Sequence, residues 1–166
     1  MGSICSVCLS KKSFDISIVG TDQEKRESLY KFITKGHTLK GQYQEIKLKN
    51  YKYNYSLKVL NTDLYSADIS DTLTKFCQGV FFVCDLTKQS YGEVITEFEN
   101  YLSHFVKNKC FVIVFCYVYT PAEEFEQYAS LNSFKLIYIS PEDDEIKKFK
   151  LGFNWMENNF SMINKK

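Results

Sequence analysis

The chain has little that interrupts regular structure, with two prolines and seven glycines in 166 residues. It has no apolar run long enough to cross a bilayer. The longest, Phe111 to Val118, is about one strand in length, against the roughly 20 residues of a spanning helix. It also lacks a charge excess. A formal net charge of +1 argues against the basic footprint of a nucleic-acid binder. No signal-peptide pattern is visible, which points to the cytosolic side of the cell, where six cysteines do not imply disulfides. Cys77, Cys84, Cys110 and Cys116 stand in apolar segments and are expected as core thiols. Cys5 and Cys8 form C-x-x-C, but no second pair follows and neither His37 nor His104 has ligand spacing, so no metal is expected. What the chain does have is aromatic residues, at 16%, which excludes disorder and favours one packed domain.

The amino terminus reads Met1-Gly2-Ser3-Ile4-Cys5-Ser6-Val7-Cys8. This fits the myristoylation pattern M-G-x-x-x-[ST], with Gly2 as acceptor after removal of Met1. One myristoyl chain binds membranes only marginally, so stable anchoring needs a second signal. Cys5 and Cys8 supply candidate palmitoylation sites, and Lys11 and Lys12 a weak attraction to anionic lipid. The expected organisation is a flexible lipidated tail over residues 1–12 and one domain over 13–166.

Strand and helix patterns then alternate. Residues 13–20 read as a strand and 22–35 as a helix; 43–50 and 55–62 read as two strands joined tightly, hence antiparallel. Residues 69–78 are weakly helical. Strand 80–85, helix 89–106, strand 111–118, a helix opening at Pro121, strand 134–139 and a helix from Asp143 to about Met162 follow. The last helix has acids at its start and lysines at its end, matching the helix dipole. Strands alternating with crossover helices imply an α/β fold with a mostly parallel six-stranded sheet, one antiparallel hairpin and helices on both faces.

Across the junction of the first strand and helix runs Gly20-Thr21-Asp22-Gln23-Glu24-Lys25-Arg26-Glu27. A phosphate-binding loop, G-x-x-x-x-G-K-[ST], needs Gly, Lys and Ser/Thr at its last three places. Lys25, Arg26 and Glu27 stand there instead. Further along, Gly79-Val80-Phe81-Phe82-Val83-Cys84-Asp85-Leu86-Thr87-Lys88-Gln89-Ser90-Tyr91 carries an apolar strand into D-x-T-x-x-S-[FY].

This segment and the element order resemble the small GTPases of the Ras superfamily, Rab and Ras proteins above all. The Gly2 signal is more like Arf-family proteins and a few atypical Rabs. The resemblance implies a Ras-like G-domain over residues 13–163, and it assigns positions one at a time. Gly20 matches the first phosphate-loop glycine; Lys25, Arg26 and Glu27 replace the second glycine, the lysine and the magnesium-binding hydroxyl. Thr38 is a weak match to the switch threonine. The D-x-x-G motif falls on Asn61-Thr62-Asp63-Leu64, followed by Tyr65 where the water-orienting glutamine belongs. The base-reading N-K-x-D falls on Cys116-Tyr117-Val118-Tyr119, and the last motif keeps only Ser140.

These departures bear on chemistry. Glu24 and Glu27 near a phosphate repel it by roughly 4 kcal/mol per pair at about 4 Å and an effective dielectric near 20. The resemblance then implies a pseudo-GTPase, an adaptor or scaffold in trafficking or membrane organisation. It would be held on the cytoplasmic face of a membrane by acyl chains and bind nucleotide weakly or not at all. An atypical GTPase binding GTP or GDP with Mg²⁺ stays open, as does a structural subunit of a larger complex. An unknown protein partner is expected at the switch-like loops 36–42 and 63–70 and at Tyr51, Tyr53 and Tyr55 on the hairpin, where related GTPases meet effectors, although these tyrosines also read as ordinary strand residues packed on the sheet; no nucleic-acid partner is expected.

Overall fold

The computed structural model describes residues 12–41, 43–49, 51–60, 77–107 and 109–163. Six strands, β1 (Ser13–Gly20), β2 (Tyr43–Leu48), β3 (Asn54–Leu60), β4 (Gly79–Asp85), β5 (Phe111–Tyr117) and β6 (Lys135–Ile139), form one sheet. Four described helices pack on it: α1 (Gln23–Ile33), α2 (Tyr91–Lys107), α3 (Glu123–Leu131) and α4 (Glu145–Ile163). The strand order is β2-β3-β1-β4-β5-β6. Only β2 and β3 are antiparallel. The expected α/β class, sheet and hairpin are therefore present.

Side-chain alternation explains why the sheet is covered twice. On one face Ile16, Ile18, Phe81, Val83, Ile113 and Phe115 meet α1 and α4. On the other, Val80, Phe82, Cys84, Val112, Val114 and Cys116 meet α2 and α3. All seven residues of β4 are buried, as a strand flanked by helices on both faces must be. Aromatic pairs link the layers: Phe14 stacks on Phe160 of α4 with ring centroids 4.2 Å apart, and Phe82 meets Phe98 of α2 edge-on at 4.8 Å. Such pairs contribute about 0.5–1.5 kcal/mol beyond their buried area.

Several expectations shift in detail. Pro121 does not open α3; Ala122 is its N-cap and the helix starts at Glu123. The last described turn of α4 carries no basic residue, because the lysines expected there, Lys165 and Lys166, lie outside the described residues. The weak helix at 69–78 falls mostly outside them too, and Cys77 and Gln78, which are described, are not helical. Cys77, Cys84 and Cys116 are buried, whereas Cys110 is only half-buried.

Tyr51, Tyr53 and Tyr55 form an inward seam. Tyr55 is 2% exposed, rests on Phe153 at 5.5 Å and donates to Glu157 Oε1 at 2.8 Å. Tyr51 packs on Phe153 at 5.0 Å and donates to the Ile33 carbonyl. Tyr53 meets Phe14 edge-on at 5.1 Å. Tyr55 therefore has no face left for a partner, and Tyr51 and Tyr53 keep only part of theirs. The physical reason is parity: Tyr55 shares its face of β3 with Leu57 and Val59, which belong to the α1–α4 core.

Candidate functional site

Topology singles out the carboxyl ends of β1 and β4. From β1 the chain runs to one side of the sheet, to β2 and β3, and then returns to the other side, to β4, β5 and β6. Open α/β sheets bind ligands in the crevice outside the strands' carboxyl ends at such a switch point. A cleft of about 290 Å³ opens there, lined among others by Lys25, Asp85, Thr87, Tyr117, Tyr119 and Ser140.

The loop after β1 is far shorter than an eight-residue phosphate loop. Only Thr21 and Asp22 separate β1 from α1. Gly20 has φ +144°, and a Cβ there would stand 1.9 Å from the Val83 carbonyl oxygen. The close approach lets the Thr21 N–H donate to that same carbonyl at 2.9 Å, pinning the turn onto β4. Asp22 then caps α1, accepting from the Lys25 N–H at 2.9 Å. Lys25, Arg26 and Glu27 are consequently residues of the helix.

Arg26 turns inward. It is 1% exposed, and its Nη1 donates to the Gly20 carbonyl. Lys25 instead lays its ammonium over the Tyr117 ring, 4.4 Å from the centroid. Glu27 accepts from Gln23 Nε2 at 3.2 Å on the helix surface.

Lys88 gathers the remaining charge. Its Nζ lies 2.9 Å from Asp22 Oδ2, 3.4 Å from Glu24 Oε2 and 3.9 Å from Asp85 Oδ2. One ammonium thus serves three carboxylates. The hydrogen bond from Lys88 to Asp22 and the Asp22 charge raise the lysine's pKa. Partial burial pushes the Asp22 carboxyl up, but the Lys25 N–H, the Lys88 hydrogen bond and both lysine charges outweigh it and hold the pKa below its ordinary value. A depressed carboxylate pKa contributes stability that is complete above the unfolded value, near 3.9, and lost as pH falls through the lower folded value. Replacing Asp22 with Asn, which still caps a helix, should flatten the fall in stability below about pH 4. Urea unfolding at stepped pH checks this; parallel acid limbs for the two proteins would contradict it.

The D-x-T-x-x-S-[FY] segment has a structural explanation. Asp85, 2% exposed, accepts from the Thr87 N–H at 2.9 Å and its hydroxyl at 2.5 Å. Ser90 and Glu93 form a reciprocal cap on α2: Ser90 N donates to Glu93 Oε2 at 2.8 Å, and Glu93 N donates to Ser90 Oγ at 3.3 Å. Across the cleft Tyr117 donates to Glu145 Oε1. Ser140 donates through its N–H to Asp143 Oδ2 at 2.7 Å. That bond, first among several, holds the Asp143 carboxyl below its usual range. The loop is tied to itself.

Of the residues singled out from sequence, Gly20, Lys25 and Arg26 come together at this switch point, with Ser140 on the far wall of the cleft. Tyr119 stands at the mouth, 75% exposed, and does not fill the loop. Thr38 is exposed on the 36–41 stretch. Asn61, Tyr65, Gly2, Cys5 and Cys8 lie outside the described residues. Asp22 and Lys88 were missed as site residues. The sequence signal for the first was present: an Asp directly before a helical pattern is an N-cap signature. Among the described residues no group of three or more His, Cys, Asp or Glu could hold a metal ion, and no helix is long and apolar enough to cross a membrane. Compared with protein-family models and with curated proteins, the chain matches none.

Proposed function

We propose that this chain is a pseudo-GTPase of Ras-superfamily type, an adaptor held on the cytoplasmic face of a membrane by acyl chains on Gly2, Cys5 and Cys8. One observation carries the nucleotide-free part. The place where a phosphate would sit is occupied by the chain's own groups: the Arg26 guanidinium on the Gly20 carbonyl and the Asp22 carboxylate on the helix amide of Lys25. A phosphate loop works by offering free backbone N–H groups and a cation to the anion. Here one amide is capped, a second, that of Thr21, is given to β4, and Lys88 is already shared among Asp22, Glu24 and Asp85. The element order, with its early antiparallel hairpin, supports the Ras-like reading of the fold. A domain without nucleotide keeps its surface for a partner, and the exposed 36–41 stretch is the described part of that surface.

A ligand raises stability by RT ln(1 + [L]/Kd). Melting in about 1 mM GTP or GDP with Mg²⁺ should therefore leave Tm unmoved, whereas an atypical nucleotide-binding GTPase would rise by several degrees. The anchor is tested separately. Gly2→Ala should abolish incorporation of a myristate analogue and move the protein from the membrane to the soluble fraction; equal labelling of both proteins would refute it.

A further inference from the structure

The near-zero net charge hides a separation of charge along the sheet. At the carboxyl end the loops and first helical turns carry Asp22, Glu24, Asp85, Glu123, Glu124, Glu142, Asp143, Asp144 and Glu145, more acids than the lysines Lys25, Lys88, Lys147 and Lys148 among them. At the amino end the described loops carry exposed lysines and no Asp or Glu. Lys12 precedes β1, Lys35 follows α1, Lys49 and Lys52 flank the β2–β3 turn, and Lys109 precedes β5. The Asn54 N–H donates to the Lys12 carbonyl at 3.0 Å, tying the start of β1 to β3. Lys35 and Lys52 lie over Tyr51 and Tyr53, each 5.4 Å from the ring centroid. Of the acids toward this end, Asp15 pairs with Lys58 at 3.6 Å and Glu157 accepts from Tyr55 at 2.8 Å. From β2 to β5 this end spans four strand spacings, roughly 19 Å.

Apolar side chains share this end. The last turn of α4 lies over the amino ends of β1 and β5, since Phe160 contacts Phe14 at 4.2 Å and Phe111 at 5.8 Å. It exposes Met162 by 65% and Ile163 by 50%. Leu131, at the end of α3 shortly before β6, is 85% exposed. Lysines around scattered exposed apolar groups suit an anionic bilayer surface, where charge draws the protein in and the apolar groups enter the headgroup boundary.

We propose that the amino end of the sheet docks on an anionic membrane, so that the acidic carboxyl end and its cleft face away from the lipid. This rests on the membrane reading above and deepens it. Residues 1–11, with the proposed acyl sites, join the described chain at Lys12, so the anchor and the basic face act at one end. Each lysine near an anionic surface strengthens partitioning roughly fivefold.

The test uses the full chain produced without acylation, sedimented with vesicles of phosphatidylcholine alone or with about one-third phosphatidylserine. The unacylated chain should bind only the anionic vesicles, and less as salt rises from about 0.1 to 0.5 M, where screening shortens the reach of surface charge. The variant Lys12→Gln/Lys35→Gln/Lys49→Gln/Lys52→Gln should bind several hundredfold more weakly, with its melting transition retained. Lys147→Gln, on the first turns of α4 at the carboxyl end and with its side chain 81% exposed, should bind like wild type. Equal binding by the quadruple variant, equal loss in Lys147→Gln, or tight binding to duplex RNA with none to anionic vesicles would overturn the proposal. Acylated protein on neutral vesicles keeps the two readings apart. If it binds there while the unacylated chain ignores anionic vesicles, the docking face is wrong and the anchor stands.

Discussion

Gly20→Ala will destabilise the protein by more than about 3 kcal/mol, a fall in Tm of roughly 10 °C for a chain of this size. Two independent constraints meet at this residue. Its φ of +144° is a backbone conformation that L side chains rarely adopt, and the space a Cβ needs is taken by the Val83 carbonyl oxygen at 1.9 Å. That neighbour is backbone of a strand buried along its whole length, so it cannot step aside as the end of a flexible side chain would. Relief requires β1 and β4 to separate or the turn to lift, and lifting it breaks the bond from Thr21 N–H to Val83. Thermal and denaturant melts measure the loss. A cost below about 1 kcal/mol would mean that the turn is not pressed onto β4.

Arg26→Ala should cost about 3 kcal/mol. The guanidinium is sealed beneath the turn it supports, donating to the Gly20 carbonyl. Truncation removes a charge-assisted hydrogen bond and leaves a void beside that carbonyl. Arg26→Leu, which refills much of the void without the donor, should recover part of the loss, and the difference between the two variants separates packing from hydrogen bonding. Were Arg26 an ordinary solvated cation of a first helical turn, both changes would fall within about 0.5 kcal/mol of wild type. The two substitutions act on one turn, so their effects will not add when combined.

The sheet was legible because its strands announce themselves by period and apolarity. Val80–Cys84 and Phe111–Val118 are continuous apolar runs, the mark of strands covered on both faces, and the short 51–54 connection could only join antiparallel neighbours. The site was legible in place but not in form. Matching Gly20 to Glu27 against a phosphate-loop pattern assumes a long loop, although the helix read over 22–35 already left only a short one, and the Asp22 cap closes it after two residues. The cap itself is a local signal and could have been read. The burial of Arg26 could not: it depends on where β4 places the Gly20 carbonyl, which no local pattern encodes. The hairpin tyrosines carried two readings, ordinary strand packing and a partner patch. Tyr55 shares parity with Leu57 and Val59, so its inward direction was implicit in the strand.

On the proposed reading, the absence of nucleotide binding rests on fewer residues than a set of missing motif positions suggests. Glu27, expected to repel a phosphate, lies on the helix surface with Gln23, and Glu24 acts only through Lys88. In the proposed function Asp22 and Arg26 would do the excluding, one by capping the helix and one by bonding the turn's carbonyl. Lys25, a cation in the cleft lining, is turned to the Tyr117 ring.

The most direct measurement is isothermal titration of nucleotide-stripped full chain with GDP and GTP, each with and without Mg²⁺. No saturable heat is expected at ligand concentrations up to about 1 mM, a binding free energy weaker than roughly 4 kcal/mol. Saturable binding with a micromolar or tighter Kd would contradict the proposed function.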